Sequence, residues 1–327
     1  MGEQLVSIII PTHNEAASIV DCINSFLDQT YKSTEILIVD DASTDGTLDI
    51  VKALKSKRVR IISLKENKGE ANARTIGVKE AMGKLVVQAD ADAFYPKSFV
   101  EQMTAPFRDN KVGGAVQGTI NVIGNPENIF VKFWQYRRDA AFLLKKFKRW
   151  PITGATILRK KAVEEVGYYD TSLVGGCDTD LAKKIERAGY KISYVPEAYF
   201  NHKDPNNFHK FLKRIWWGAV NTKKYEQKWG IWPKLPEYLL IILRNVLATL
   251  IPILLILALF NLVWALAAIV IFIAESILPI IILKIWRTAF LLALKKRDFK
   301  FLLAMPFLMW AFARAAGYGK LYTSLLK

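Results

Sequence analysis

Gly83-Lys84-Leu85-Val86-Val87-Gln88-Ala89-Asp90-Ala91-Asp92-Ala93 is the stretch on which the reading of this chain turns. The run from Leu85 reads as a buried strand, and two carboxylates one residue apart follow where it ends. In an open α/β sheet, ligands gather just past the carboxyl ends of the strands. An Asp-X-Asp there sets hard oxygen ligands where a divalent cation and a diphosphate can meet. The competing reading is a polar turn that caps the next helix, whose start Pro96 marks.

Working outward, strands are expected at Val6–Ile10, Glu35–Val39 and Arg60–Leu64. They alternate with helical spacing at Ala17–Leu27, Thr47–Leu54 and Ala71–Ala81. This βαβα rhythm predicts an α/β domain with a parallel sheet and helices on both faces, its crossovers right-handed. Thr12, His13, Asn14, Glu15, Asp40, Asp41 and Asp90 all fall just after strands, so they converge on one edge. Downstream the rhythm loosens. Val112–Gln117 reads as strand, Asn128–Lys146 as a long aromatic helix, Ile152–Leu158 as strand and Asp180–Ala188 as helix. Two short strands, Ile192–Val195 and Ala198–Phe200, lead to His202.

The 327 residues fit one catalytic domain plus an appendage. The net charge of +16 suits anionic lipid headgroups and phosphate-bearing ligands, and next to long apolar runs these are favoured over nucleic acid. Two cysteines give neither a disulfide framework nor zinc spacing; Cys22, beside Ile19, Ile23 and Phe26, reads as a buried thiol. No basic, apolar leader precedes Val6, so no cleaved signal peptide is expected. After residue 236 apolar runs take over. Spans are expected at about 238–260 and 262–283, the alternative being buried helices of a soluble core. Basic residues flank both ends of this pair, and the turn between carries no charge. That predicts a hairpin with both ends cytoplasmic. The stretch 299–323, interrupted by Pro306 and Gly317, reads as an interfacial segment or a tilted third span. Residues 206–236, with Phe208–Trp217 at their start, read as an amphipathic segment in the headgroup layer.

Four polar segments now form a pattern. Ile8-Ile9-Ile10-Pro11-Thr12-His13-Asn14-Glu15 and Ile38-Val39-Asp40-Asp41-Ala42-Ser43-Thr44-Asp45-Gly46-Thr47 close the first two strands. Asn67-Lys68-Gly69 with Ala73-Arg74 and Gly77 opens the third helix, and Asp90-Ala91-Asp92 closes the fourth strand. In this order they resemble the family 2 glycosyltransferases, whose GT-A fold is a Rossmann-like domain with a mixed, mostly parallel sheet. The resemblance covers residues 1–205, with a membrane-associated region at 237–327. It implies a metal-dependent, inverting, hexosyltransferase-type enzyme using a nucleoside-diphosphate sugar and Mg²⁺ or Mn²⁺. Pro11, His13 and Glu15 would line the base and ribose pocket, and Asp41 would accept from the base imide. Arg74 would offer a forked donor to phosphate, the alternative being a helix-surface ion pair. Asp90 would hold ribose or sugar, and Asp92 the metal.

Gly175-Gly176-Cys177-Asp178-Thr179-Asp180-Leu181 resembles the acceptor side of the same family, with Cys177 in place of the usual Glu. The match makes Asp178 the catalytic base; as a residue it also suits a helix N-cap. His202 matches a further metal ligand, against a purely structural role. The expected enzyme sits in the cell membrane as a multi-pass protein, its catalytic domain cytoplasmic. Its acceptor would be a lipid-linked or membrane-proximal glycan, with membrane lipids around it. The rivals are a polyprenyl-phosphate sugar synthase, whose anionic acceptor needs no base, and a noncatalytic nucleotide-binding membrane scaffold.

Overall fold

The computed structural model describes residues 4–123, 125–144, 155–230, 243, 245–246, 250–251, 254, 262–282 and 284–325. They divide into two units, Met1–Ile123 with Lys145–Lys203, and Gly124–Leu144 with Asp204–Lys327.

The first unit is built on one eight-stranded mixed sheet. Its strands are β1 (Val6–Thr12), β2 (Thr34–Asp40), β3 (Val59–Ser63), β4 (Leu85–Ala89), β5 (Ala93–Phe94), β6 (Val112–Ile123), β7 (Ala155–Arg159) and β8 (Lys191–Lys203). Their order is β3-β2-β1-β4-β7-β6-β8-β5. The first four run parallel, β7 lies antiparallel to β4 and β6, and β5 antiparallel to β8. All of β2 and nearly all of β1 are buried. Central parallel strands covered on both faces need such unbroken apolar runs.

The helices of this unit are α1 (Ile19–Leu27), α2 (Thr47–Ala53), α3 (Glu70–Glu80) and α4 (Phe99–Thr104), then α6 (Lys160–Glu165) and α7 (Cys177–Arg187), with α5 in the second unit. Gly77 lets α3 press on β1: a Cβ there would stand 2.3 Å from Ile9 Cγ2. Two expectations are corrected. The two short strands around Pro196 are one strand, β8, whose register against β6 jumps from Gln117↔Val195 to Thr119↔Tyr199. The extra residues form a bulge that absorbs the proline's missing N–H. The helix placed at Asp180–Ala188 begins earlier, at Cys177, behind a left-handed Gly176 (φ +80°).

The second unit contains α5 (Ile129–Leu143), α8 (Phe208–Asn221), α9 (Lys223–Lys228), α10 (Leu262–Ile282), α11 (Lys284–Lys295) and α12 (Phe299–Leu325). Phe133 of α5 centres an aromatic core with Phe211, Trp286 and Phe312. The expected interruption of the last segment is also corrected, since α12 is one 27-residue helix running through Pro306 and Gly317. Among the described residues, its Phe299–Lys320 portion is the helix long and apolar enough to cross a membrane. α10 turns Val263, Leu266, Val270 and Ile273 outward at helical spacing. The expected span at 238–260 lies almost wholly outside the described residues.

Candidate active site

The cleft forms where the sequence motifs end their strands. A hollow of about 330 Å³ is lined by Pro11 and Thr12 at the end of β1, by His13 and Glu15 just after it, and by Asp41 after β2. Glu70, Ala73 and Arg74 of α3 and the Asp90-Ala91-Asp92 turn complete it.

Each wall is held locally. Asp41 is buried, and its two oxygens accept the N–H groups of Lys68 (2.9 Å) and Gly69 (2.7 Å). Gly69 caps α3 at φ +87°, ψ +163°, a conformation open essentially to glycine alone. His13 Nδ1 donates to the Asp41 carbonyl at 2.8 Å, because a carbonyl can only accept; Nε2 is then the acceptor for Asn14 Nδ2 at 3.1 Å. Glu15 accepts from Ser18 Oγ at 2.8 Å. Burial raises the Glu15 carboxyl above its ordinary range; Ser18 opposes this, and Asp92 adds to it by repulsion.

The acidic turn is fixed from below. Asp90 N–H donates to Tyr95 Oη at 2.9 Å, while its carbonyl accepts Cys22 Sγ–H and Ala93 N–H, each at 3.3 Å. Cys22 is the buried thiol its helical spacing predicted. His202 arrives from more than a hundred residues away through the short β5–β8 pairing, in which Ala93 faces His202. Its Nε2 stands 3.4 Å from Asp92 Oδ2, and ligand atoms of Asp90, Asp92 and His202 all lie within 4.8 Å of one another. Two carboxylates and an imidazole are a donor set that fits Mn²⁺ or Mg²⁺, the imidazole favouring Mn²⁺.

Arg74 lines the cleft, and protein groups already engage its guanidinium. It is fully buried, and four hydrogen bonds and an ion-pair contact engage it. Nε donates to Glu70 Oε1 at 2.8 Å, Nη1 to Gln88 Oε1 and the Ala89 carbonyl at 3.2 and 3.3 Å. Nη2 reaches Asp90 Oδ1 at 2.8 Å and Glu70 Oε1 at 2.7 Å. Burial lowers the guanidinium's proton affinity, but Glu70 and Asp90 outweigh it and keep the group charged. Asp90 thereby spends one oxygen on Arg74. Burial pushes its carboxyl above the ordinary range, against the pull of Arg74.

Asp178 does not line this cleft. As the second residue of α7 it borders a small void with Gln88, Thr156 and Tyr169, linked to Asp90 through Gln88 and Arg74. Its neighbour Cys177 is buried, and burial with the nearby Glu70 and Asp178 charges drives the thiol well up, leaving it neutral. Glu70 was missed from sequence as a site residue. Its signal was the i,i+4 spacing to Arg74 in the first turn of a helix.

Comparison with known proteins agrees with this geometry. Residues 7–167 match the profile of "Glycosyl transferase family 2". Among curated relatives, the poly-beta-1,6-N-acetyl-D-glucosamine synthase of Staphylococcus epidermidis is 28% identical over 243 residues, covering 67% of this chain and 58% of the relative. The synthase of the same name from Staphylococcus aureus (strain COL) is 30% identical over 203 residues, covering 59% and 48%. The chain thus spans about half the length of the curated relatives it matches. A solved structure, the mannosyltransferase PcManGT from Pyrobaculum calidifontis in complex with GDP-Man and Mn²⁺, superposes with a TM-score of 0.60 at 20% identity. It covers 98% of this chain and 86% of that one, and the likeness is one of fold. Motif order, strand-edge cleft and matched profile therefore converge: the chain belongs to glycosyl transferase family 2 and carries its GT-A fold.

Proposed function

We propose that this chain is a membrane-bound, metal-dependent, inverting glycosyltransferase. It moves a sugar from a nucleoside-diphosphate donor to a hydroxyl of a lipid-linked or membrane-proximal glycan. The observation that carries the reading is the meeting of Asp90, Asp92 and His202 at a cleft walled by Pro11, His13, Glu15 and Asp41. Asp41 retains a second lone pair on each oxygen with which to accept from a base imide. Pro11, His13 and Glu15 take the base and ribose. Asp92 and His202, with the remaining oxygen of Asp90, hold Mn²⁺ or Mg²⁺. The ion supplies neutralisation of charge on the departing diphosphate.

Arg74 works by aiming Asp90, since Glu70, Gln88, the Ala89 carbonyl and Asp90 already engage its guanidinium. Asp178 receives the proton of the acceptor hydroxyl as that oxygen bonds to the anomeric carbon. The bond from that carbon to the diphosphate oxygen breaks on the opposite face, and the diphosphate leaves with the electron pair. The relatives' name, a poly-N-acetylglucosamine synthase, supports a sugar hydroxyl as acceptor and N-acetylglucosamine as the first donor sugar to try. The apolar length of α12 supports a membrane anchor; further spans and a cytoplasmic catalytic unit are part of the proposal.

A screen of nucleotide sugars for metal-dependent diphosphate release, with membrane lipid extract as acceptor, tests the proposal. Release with one donor, stopped by a chelator, is expected. No release with any donor would count against it.

A further inference from the structure

Glu70 is the acid of the cleft that the donor reading leaves without a task. It is the first residue of α3 and lines the hollow together with Glu15, Asp41, Asp90 and Asp92. Its Oε1 takes both of its bonds, from Arg74 Nε at 2.8 Å and Nη2 at 2.7 Å. Oε2 makes no hydrogen bond with a described residue, and the side chain is 42% exposed. On one side, Arg74 Nη2 joins Glu70 to Asp90 Oδ1 at 2.8 Å. On the other stands Cys177, the residue before Asp178; burial first, and then the Glu70 charge, raises its thiol. Glu70 therefore stands beside both the turn that would hold the metal and the helix start that carries Asp178.

An acid in the first turn of a helix with an arginine four residues on is a common pair and needs no ligand. Two observations set this one apart. Both bonds to Arg74 fall on a single oxygen, so the pair leaves the other oxygen able to accept. That carboxylate also lines the donor hollow. In the proposed reaction the sugar hangs from a diphosphate at Asp90 and Asp92 and meets its acceptor beside Asp178, so it passes Glu70. An ionised carboxylate only accepts, and sugar hydroxyls donate, which makes them partners. A sugar carboxylate has no proton to give and brings a like charge. Arg74, the cation at hand to offset that charge, is already engaged by Glu70 and Asp90.

We infer that Glu70 sets the class of donor sugar. Its Oε2 accepts from hydroxyl groups of a neutral hexose and turns away a hexuronate, the same sugar with a carboxylate at C6. The inference rests on the glycosyl-transfer reading and deepens it, since neither the metal nor the base by itself requires a neutral sugar.

The test titrates the detergent-solubilised full chain by calorimetry with Mn²⁺ present. The probes are UDP, GDP and two pairs that differ only at C6: UDP-glucose with UDP-glucuronate, and GDP-mannose with GDP-mannuronate. Binding of one diphosphate is expected, with the neutral member of its pair held about tenfold tighter than the acidic one. Glu70→Gln still offers Arg74 an oxygen but no charge, and should shrink that ratio to about twofold or less. Glu70→Asp keeps the charge on a shorter arm and should keep most of the ratio. A merely structural role would move both members of a pair together and leave their ratio at the parent's. Such a ratio in Glu70→Gln overturns the inference, as does a ratio that Glu70→Asp loses just as fully, or a parent that does not separate the two sugars. In each of these cases the donor reading stands. A parent that binds neither UDP nor GDP overturns both.

Discussion

Each unit buries arginine, and the two meet the cost in opposite ways. In the sheet unit, Arg74 makes four hydrogen bonds and has two carboxylates, Glu70 and Asp90, for its charge. In the helical unit, the part-buried Arg138 and the exposed Arg214 share the carboxylate of Asp204, and the part-buried Arg137 makes no ion pair with a described residue. Taking an ion out of water costs several kcal/mol unless partners replace the water. A buried cation with its own acceptors is therefore architecture, here the strut that aims Asp90. A part-buried or exposed one keeps water for what its carboxylate does not supply.

The comparison breaks most visibly at Arg74. Arg74→Met strands Glu70 and Asp90, so denaturant unfolding should show a loss of about 3–5 kcal/mol, with diphosphate release falling as well. Next comes Asp178, which borders a small void together with Gln88 of that cluster. Asp178→Asn should slow transfer to a hydroxyl acceptor by about a hundredfold or more, measured as product formed under saturating donor. Near-normal transfer would instead favour an acceptor that is already an anion. His202→Ala leaves both carboxylates in place, and Mn²⁺ titration should show affinity reduced by about tenfold, the low end of what ligand-shell losses cost. The smallest change sharpens the contrast. Arg137→Gln removes an unpaired cation and should shift stability by no more than about 0.5 kcal/mol, in either direction, in the same unfolding assay.

What the residues disclosed in advance follows from distance along the chain. Pro11 sits at the end of β1, and His13, Glu15, Asp41 and Asp90 come just after strands, so strand periodicity alone carried them to one sheet edge. His202 could not be reached that way, because its place beside Asp92 depends on the two-residue β5–β8 pairing, too short to leave a periodic trace. Resemblance to the family supplied it. Arg74 was legible as a site residue with two readings, phosphate donor or ion pair, but its bonds to Gln88 and the Ala89 carbonyl were not, because those groups lie on another element. The continuity of α12 was hidden by Pro306 and Gly317, which a lone helix tolerates poorly. In the fold, Leu308, Met309 and Ala311 between them are buried in the unit's core. The arginine cluster left no signal at all, because α5 and α8 lie far apart in sequence and meet only in the fold.

The central claim is that Asp90, Asp92 and His202 hold one divalent cation against the diphosphate of a donor. It is tested most directly by electron paramagnetic resonance titration of Mn²⁺ into the full chain with a nucleoside diphosphate present. The account predicts one tightly bound Mn²⁺ per chain, lost in Asp92→Asn while that variant keeps its fold. Binding by Asp92→Asn equal to that of the parent would contradict it.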